Sequence, residues 1–245
     1  VAIVTGAARG IGKAIACTFA AQGIVSVIAD IDLAAARQTE SEIRASGGEA
    51  LAIRTDLAQV AEAVALVNET LARYGRVDIL VNNAGLLSNT AYDELGEAEW
   101  DRVLDVNVRG ALFATGEALK AMRKQGWGRV ITISSLAGRS GGVSVGPAYV
   151  ASKAALIGLT RHLARKVAGD GVTVNCIAPT YVRTEMIAHH LARPDFLATT
   201  LPRIPLGRLG EPLDIAGAAV LFCSPAGAFI TGQTLYIDGG ITASQ

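Results

Sequence analysis

Short apolar runs alternate with amphipathic stretches along the whole chain, and this alternation is what most narrows the folds open to it. Residues 1–4, 24–29, 50–54, 77–81, 129–133, 172–177 and 234–237 read as buried strands. Between them lie helical patterns: Ile11, Ile15 and Phe19 on one face, a stretch over 33–45, and the stripe Val60, Val64, Val67 and Leu71. A helix over 97–124 is expected to turn Trp100, Val103, Leu104 and Ala111 inward, and another runs over 212–223. Strands joined through helices make right-handed crossovers, so the pattern implies an α/β fold, a doubly wound parallel sheet with helices on both faces. Ligands in such folds bind at the carboxyl ends of the strands. At 245 residues, 51% hydrophobic and 18% charged, with neither an internal repeat nor a linker, the chain is expected to form a single domain over 1–245.

Lys and Arg number 22 and Asp and Glu 22, a balance that points away from nucleic acid and from an anionic membrane surface. No apolar run is long enough to span a bilayer and no targeting segment is visible, so a cytoplasmic protein is expected. Because the chain opens inside a strand, a few native residues are expected before Val1. Cys17, Cys176 and Cys223 lie far apart in apolar runs, which fits free thiols better than disulfides or a metal site.

The first strand runs into Thr5-Gly6-Ala7-Ala8-Arg9-Gly10-Ile11-Gly12 and then a helix. Amides at a helix N-terminus and its macrodipole favour an anion such as phosphate, and the glycines let backbone and ligand approach closely. The second strand ends at Asp30, where a carboxylate accepts hydrogen bonds from an adenosine ribose and repels a 2'-phosphate. Arg9 could attract that phosphate, but the carboxylate weighs more, so NAD(H) is expected ahead of NADP(H).

Further candidates stand at later strand ends. Asn82-Asn83-Ala84-Gly85 closes the fourth strand; its amides can bond adjoining loops, and an ordinary Asn/Gly turn reads equally well. Asn107 falls on the inward helix face, either as a structural amide or as the holder of a water in a proton relay. Ser135 follows the fifth strand without a histidine or a nucleophile elbow, which favours a hydrogen-bond donor over a covalent nucleophile. Tyr149 and Lys153 share a helix face four residues apart, and an ammonium beside a phenol lowers its pKa toward useful acid–base chemistry. Residues 180–205, polar and proline-bearing, suggest a lid over the strand ends. His189 and His190 lie within it but lack companions at ligand spacing, so no metal is expected.

Taken together, the glycine turn, Asp56, Asn82-Asn83-Ala84-Gly85, Asn107, Ser135, Tyr149 and Lys153 resemble the short-chain dehydrogenase/reductase family from Val1 to Gly240. The resemblance implies a single-domain Rossmann fold with a seven-stranded parallel sheet, most relatives being homotetramers. It implies a catalytic tetrad of Asn107, Ser135, Tyr149 and Lys153, with the lysine also bonding the nicotinamide ribose. The cofactor contacts it implies are Gly6, Arg9, Gly10, Ile11, Gly12, Asp30, Asp56, Leu57, Asn83, Ala84, Gly85, Tyr149, Lys153, Pro179, Val182 and Thr184. Two departures stand out: Thr180 occupies the place of the family's glycine after Pro179, and the Ser135 to Tyr149 spacing is one residue longer than in many relatives. The expected reaction interconverts a small-molecule secondary alcohol, such as a sugar or polyol, and its ketone. Reduction of a 3-oxoacyl thioester and a silent NAD-binding regulator are the alternatives.

Overall fold

The computed structural model describes residues 1–244; Gln245, the last residue of the expected domain, lies outside them. The strands are β1 (Ala2–Thr5), β2 (Ser26–Asp30), β3 (Ala50–Arg54), β4 (Ile79–Asn82), β5 (Gly128–Ile133), β6 (Val172–Pro179) and β7 (Thr234–Ile237). They form one seven-stranded sheet in the order β3-β2-β1-β4-β5-β6-β7, every pair parallel. The chain winds outward from β1 to β3, returns through α3 (Val60–Tyr74) and resumes at β4 on the other side of β1. That reversal leaves a crevice between the carboxyl ends of β1 and β4.

Alternation along β1 divides the core in two. Ala2 and Val4 face one layer, where Ile15 and Phe19 of α1 (Gly10–Ala21), Ile43 of α2 (Leu33–Ala45) and Ile215 and Phe222 of a late helix pack. Ile3 faces the other, with Leu66 and Val67 of α3 and Ala114, Ala118 and Met122 of a helix before β5. Burying each large side chain contributes about 1.5–3 kcal/mol, so both faces of the sheet are anchored by the residues that set its hydrophobic period.

Between β4 and β5 the expected single helix is interrupted. It consists of α4 (Glu97–Leu104), a π-helical turn at Asp105–Gly110 and α5 (Ala111–Gln125). The wider turn rotates the faces on its two sides relative to each other. Val103 and Ala111 are buried as expected, but Leu104 is only half-buried and Trp100 is 39% exposed, which corrects the inward stripe read from a uniform period.

Downstream come α6 (Ala137–Ser140), α7 (Pro147–Val167), α8 (Ala188–Leu191), α9 (Phe196–Thr200) and α10 (Pro212–Cys223). The segment expected to be a lid folds into short helices over a small core of Phe196, Ile204 and Leu209. Its ends are clamped where Gly210 N donates to Tyr181 O at 2.9 Å and Arg183 N to Gly210 O at 2.8 Å. Among the described residues no helix is long and apolar enough to cross a membrane.

Candidate active site

At the β1/β4 reversal a cavity of about 850 Å³ runs from the glycine turn to the 180–205 segment. The end at the turn is built mainly from backbone. Gly6 and Gly10 have φ of 62° and 57°, the left-handed region that glycine adopts without strain. A Cβ on Gly12 would overlap the Gly6 carbonyl and the Asn83 side chain, so that close crossing requires glycine. Asn83 Nδ2 donates to the carbonyls of Thr5 and Gly6 at 2.8 and 3.0 Å, and Thr5 Oγ1 accepts from the amides of Asn83 and Ala84 at 3.0 and 3.1 Å. The two strand ends flanking the crevice are thereby tied together.

Asp30 is half-buried at the end of β2. Its Oδ2 accepts from Ala8 N at 3.0 Å and its Oδ1 from Asp32 N at 3.0 Å, which holds the carboxylate at the crevice wall. Asp32 caps α2 by accepting from Ala35 N at 3.1 Å and also pairs with Arg9 at 2.5 Å, so that this guanidinium already has a carboxylate partner. Bonding to the Ala35 amide is the leading cause that keeps the Asp32 carboxyl below its usual range.

Toward the other end, Ser135, Tyr149 and Lys153 share the wall. Ser135 Oγ accepts from Ala137 N at 3.2 Å, which leaves its proton free to donate. Lys153 is buried, with Nζ 5.6 Å from the centre of the Tyr149 ring and donating to Ile133 O at 2.9 Å. Burial pushes its pKa down to about 8. Tyr149 differs from the expectation: burial pushes its phenol up, and the opposing pull comes from a hydrogen bond with Ser135 rather than from the lysine. Desolvation of the phenol is the dominant influence, ahead of the Ser135 hydrogen bond.

Asn107 sits in the π turn, 1% exposed. Its Oδ1 accepts from Leu86 N at 2.7 Å, and its Nδ2 donates to Leu86 O at 3.0 Å and Ser152 Oγ at 2.9 Å; Ser152 in turn donates to Tyr149 O at 2.7 Å. The buried amide is therefore satisfied and couples the β4 loop to the start of α7. Gly85 lies against both Asn107 Oδ1 and Lys153 Nζ, each 3.3 Å from where its Cβ would stand.

Of the residues singled out in the sequence, Gly6, Arg9, Gly10, Ile11, Asp30, Asp56, Leu57, Asn83, Ala84, Gly85, Ser135, Tyr149, Lys153, Pro179, Val182 and Thr184 line the cavity. Gly12 and Asn107 stand one layer behind it, shaping the turn and the loop. Ile31, Val106 and Met186, which no sequence signal singled out, also line the wall, as does Arg203, a basic residue of the 180–205 segment. Ile31 follows Asp30 directly and could have been found by extending the strand end. Val106 lies in the π turn, where a helical period gives no usable face. Among the described residues no cluster of three or more His, Cys, Asp or Glu could hold a metal.

A parallel sheet in this order, with a glycine turn at its reversal point, is a Rossmann-type dinucleotide fold. A family model described as enoyl-(acyl carrier protein) reductase matches residues 6–242. The chain belongs to the short-chain dehydrogenase/reductase family, and is an oxidoreductase of that family. It is 42% identical over 244 residues to a 3-oxoacyl-[acyl-carrier-protein] reductase of Synechocystis sp., covering 98% of this chain and 96% of the relative. A solved structure from Beutenbergia cavernae, provisionally assigned as an NAD(P)-dependent gluconate 5-dehydrogenase with NADP bound at low occupancy, aligns with a TM-score of 0.94 and 40% identity, covering 99% and 96% of the two chains. Another from Agrobacterium tumefaciens, provisionally a 2-deoxy-D-gluconate 3-dehydrogenase with bound NADP, gives a TM-score of 0.91 and 39% identity over 99% and 96%.

Proposed function

We propose that the protein interconverts a secondary alcohol and its ketone with a nicotinamide cofactor, NAD(H) being preferred over NADP(H). The observation that carries this reading is the sharing of one cavity wall by Ser135, Tyr149 and Lys153, opposite a glycine turn built for a diphosphate. Gly6, Arg9, Gly10 and Ile11 would hold the diphosphate with Gly12 shaping their turn, Asp30 the adenosine ribose, and Asp56 and Leu57 the adenine. Asn83, Ala84, Gly85, Pro179, Val182 and Thr184 would enclose the nicotinamide half. When bound, the nicotinamide donates or accepts the hydride. Tyr149 passes the proton to or from the substrate oxygen while Ser135 donates a hydrogen bond to that oxygen. Lys153 supplies positive charge beneath the phenol and a donor for the ribose, and Asn107 holds the loop that positions both. Residues 180–205 act as the substrate lid of a single domain.

The cofactor preference rests on Asp30 at the wall and on Arg9 being engaged by Asp32. A second reading, reduction of a 3-oxoacyl thioester with NADPH, is favoured by the Synechocystis relative's name and by the NADP in the solved structures. It is also favoured by the apolar lining of Leu86, Leu87, Val145 and Ile187. Steady-state rates with NADH and NADPH, on a panel of polyols, sugar acids and acyl thioesters, decide between them. Equal or better kcat/KM with NADPH on a thioester would replace the first reading by the second. Tyr149→Phe is expected to lower turnover by about 10²- to 10⁴-fold while binding NADH normally, and near-normal turnover would sink both.

We further infer a homotetramer in the cytoplasm. Trp100 of α4, Phe113 of α5, and Leu221, Phe229 and Leu235 about α10 and the β7 edge are exposed apolar side chains suited to interfaces. Light scattering that gave a single chain's mass would reject that assembly.

A further inference from the structure

The wall beside Ser135 contains a hydroxyl that the proposed reaction does not use. Parallel pairing of β5 and β6 runs to Ile133 opposite Ile177 and continues past the end of β5, because Ser134 N donates to Ile177 O and Leu136 N to Pro179 O, each at 2.8 Å. The backbone at Ser135 and Leu136 therefore travels alongside Pro179 and Thr180, one strand spacing of about 4.8 Å away. On its other flank Thr180 N donates to Ile237 O, at the last residue of β7, at 3.2 Å. Residue 180 is thus held by its own amide on one flank and through Pro179 on the other, half-buried and lining the same cavity as Ser135 and Tyr149.

Among the other hydroxyls lining the cavity, Thr5 bonds Val81 O, Ser134 bonds Lys153 O and Thr184 bonds Val182 O, while Thr55, whose amide donates to Asp30 O at the turn end, has a buried hydroxyl without a partner. The Thr180 hydroxyl makes no hydrogen bond with any described residue. A hydroxyl has one proton to give and two lone pairs to fill, and covering it with an apolar ligand costs more than matching it with an oxygen. A threonine side chain is short, so it reaches only atoms close to the reacting carbon, whereas more distant groups meet the longer side chains of the 180–205 segment.

We propose that Thr180 is a specificity-determining residue whose hydroxyl bonds a second oxygen on the carbon next to the reacting carbinol, so that the preferred substrates are vicinal diols and α-hydroxy ketones. This rests on the alcohol–ketone reaction proposed above and narrows its substrate class. A simple ketone leaves the Thr180 hydroxyl desolvated and unmatched; a 3-oxoacyl thioester places its second oxygen one carbon further away.

The test is a matched pair, 3-hydroxy-2-butanone against 2-butanone, with 1,2-cyclohexanediol against cyclohexanol in the oxidative direction. Wild type, Thr180→Val and Thr180→Ser are compared, each with NADH binding measured by fluorescence. Wild type is expected to favour the oxygenated member of each pair. Thr180→Val keeps the side chain's shape and removes its hydroxyl; it should cut that preference about tenfold, while Thr180→Ser holds it within about threefold. An unchanged preference in Thr180→Val, an equal loss on both members of a pair, or no wild-type turnover of either oxygenated compound would overturn the assignment. The outcome is separable from the reaction itself. Retained turnover in Tyr149→Phe removes the proton-transfer reading, whereas an unaltered Thr180→Val preference alongside an inactive Tyr149→Phe removes only the assignment of Thr180.

Discussion

The two ends of the cavity are built on different principles. At the turn end the wall is backbone and short side chains, each tied by several hydrogen bonds: Asn83 to Thr5 and Gly6, Thr5 to Asn83 and Ala84, Asp30 to Ala8 and Asp32. At the end beside residues 180–205, the proposed lid, the wall includes exposed side chains such as Met186, 45% exposed, and Val143, 75% exposed. A bond between Asn89 and His189 at 3.3 Å is a tie from the β4 loop to the lid. A ligand portion that never varies can be met by a rigid, backbone-made wall, while a variable portion is met by side chains that packing alone constrains. Change at the turn end should therefore propagate into the fold, and change at the lid end should remain local.

Gly12→Ala puts the strongest strain on that contrast. Its Cβ would overlap the Gly6 carbonyl and the Asn83 amide, both fixed, so a loss of about 3 kcal/mol in chemical denaturation and a parallel loss of NADH affinity are expected. Wild-type stability in that variant would mean the turn end is as adaptable as the lid.

Lys153 stands where the two ends meet and tests the boundary through pH. Its folded pKa of about 8 lies below the unfolded value of 10.5, so as pH falls the unfolded chain takes up the proton first. Folding stability attributable to this group is thus lost as pH drops from about 10 to about 8, by about 2 kcal/mol, and does not return below that. Urea midpoints of wild type and Lys153→Met across this range should diverge by that amount; parallel curves would place the lysine in a wetter site than its burial indicates.

Met186→Ala sharpens the comparison from the quiet side. Stability should stay within about 0.5 kcal/mol, since the residue is exposed, while KM for large substrates moves and NADH affinity does not. A drop in melting temperature comparable to that of Gly12→Ala would show that the lid shares the turn's rigidity.

The same division governs what could be read from the sequence. Glycines at the turn, the carboxylate ending β2 and the amide at Asn83 answer to backbone geometry, which a few residue types at fixed spacings satisfy, and these the sequence placed in the cavity. The seven strands were visible for a similar reason: buried parallel strands appear as apolar runs whose length the sheet limits. Val106 escaped because its facing depends on a π turn that no local propensity announces, and Trp100, in the regular helix before it, because period alone does not tell how deeply a stripe is covered. The state of Tyr149 escaped because spacing shows that a lysine is near but not how deeply both groups are buried. Arg203 and Met186 reach the wall only through the packing of short helices, a tertiary outcome with no period to detect.

The π turn at Asp105–Gly110 acts as a phase shifter in an otherwise continuous rod. Residues before it are indexed to α7 and residues after it to α3, the helices on which α4 and α5 pack. Gly110 meanwhile lies so close to the Leu57 carbonyl that a Cβ there would overlap it. The turn takes up one residue more than an α-helix would over the same rotation, so forcing the same residues into a uniform α-helical period would re-index one half by about 100° while leaving a good helix. Far-UV helicity would survive that change, but Asn107 could no longer face Leu86 and Ser152 while Gly110 faces Leu57. Helix content and the facing of the two halves are thus decoupled within one turn, and a variant that regularises it is expected to look unchanged by circular dichroism while losing the Asn107 contacts.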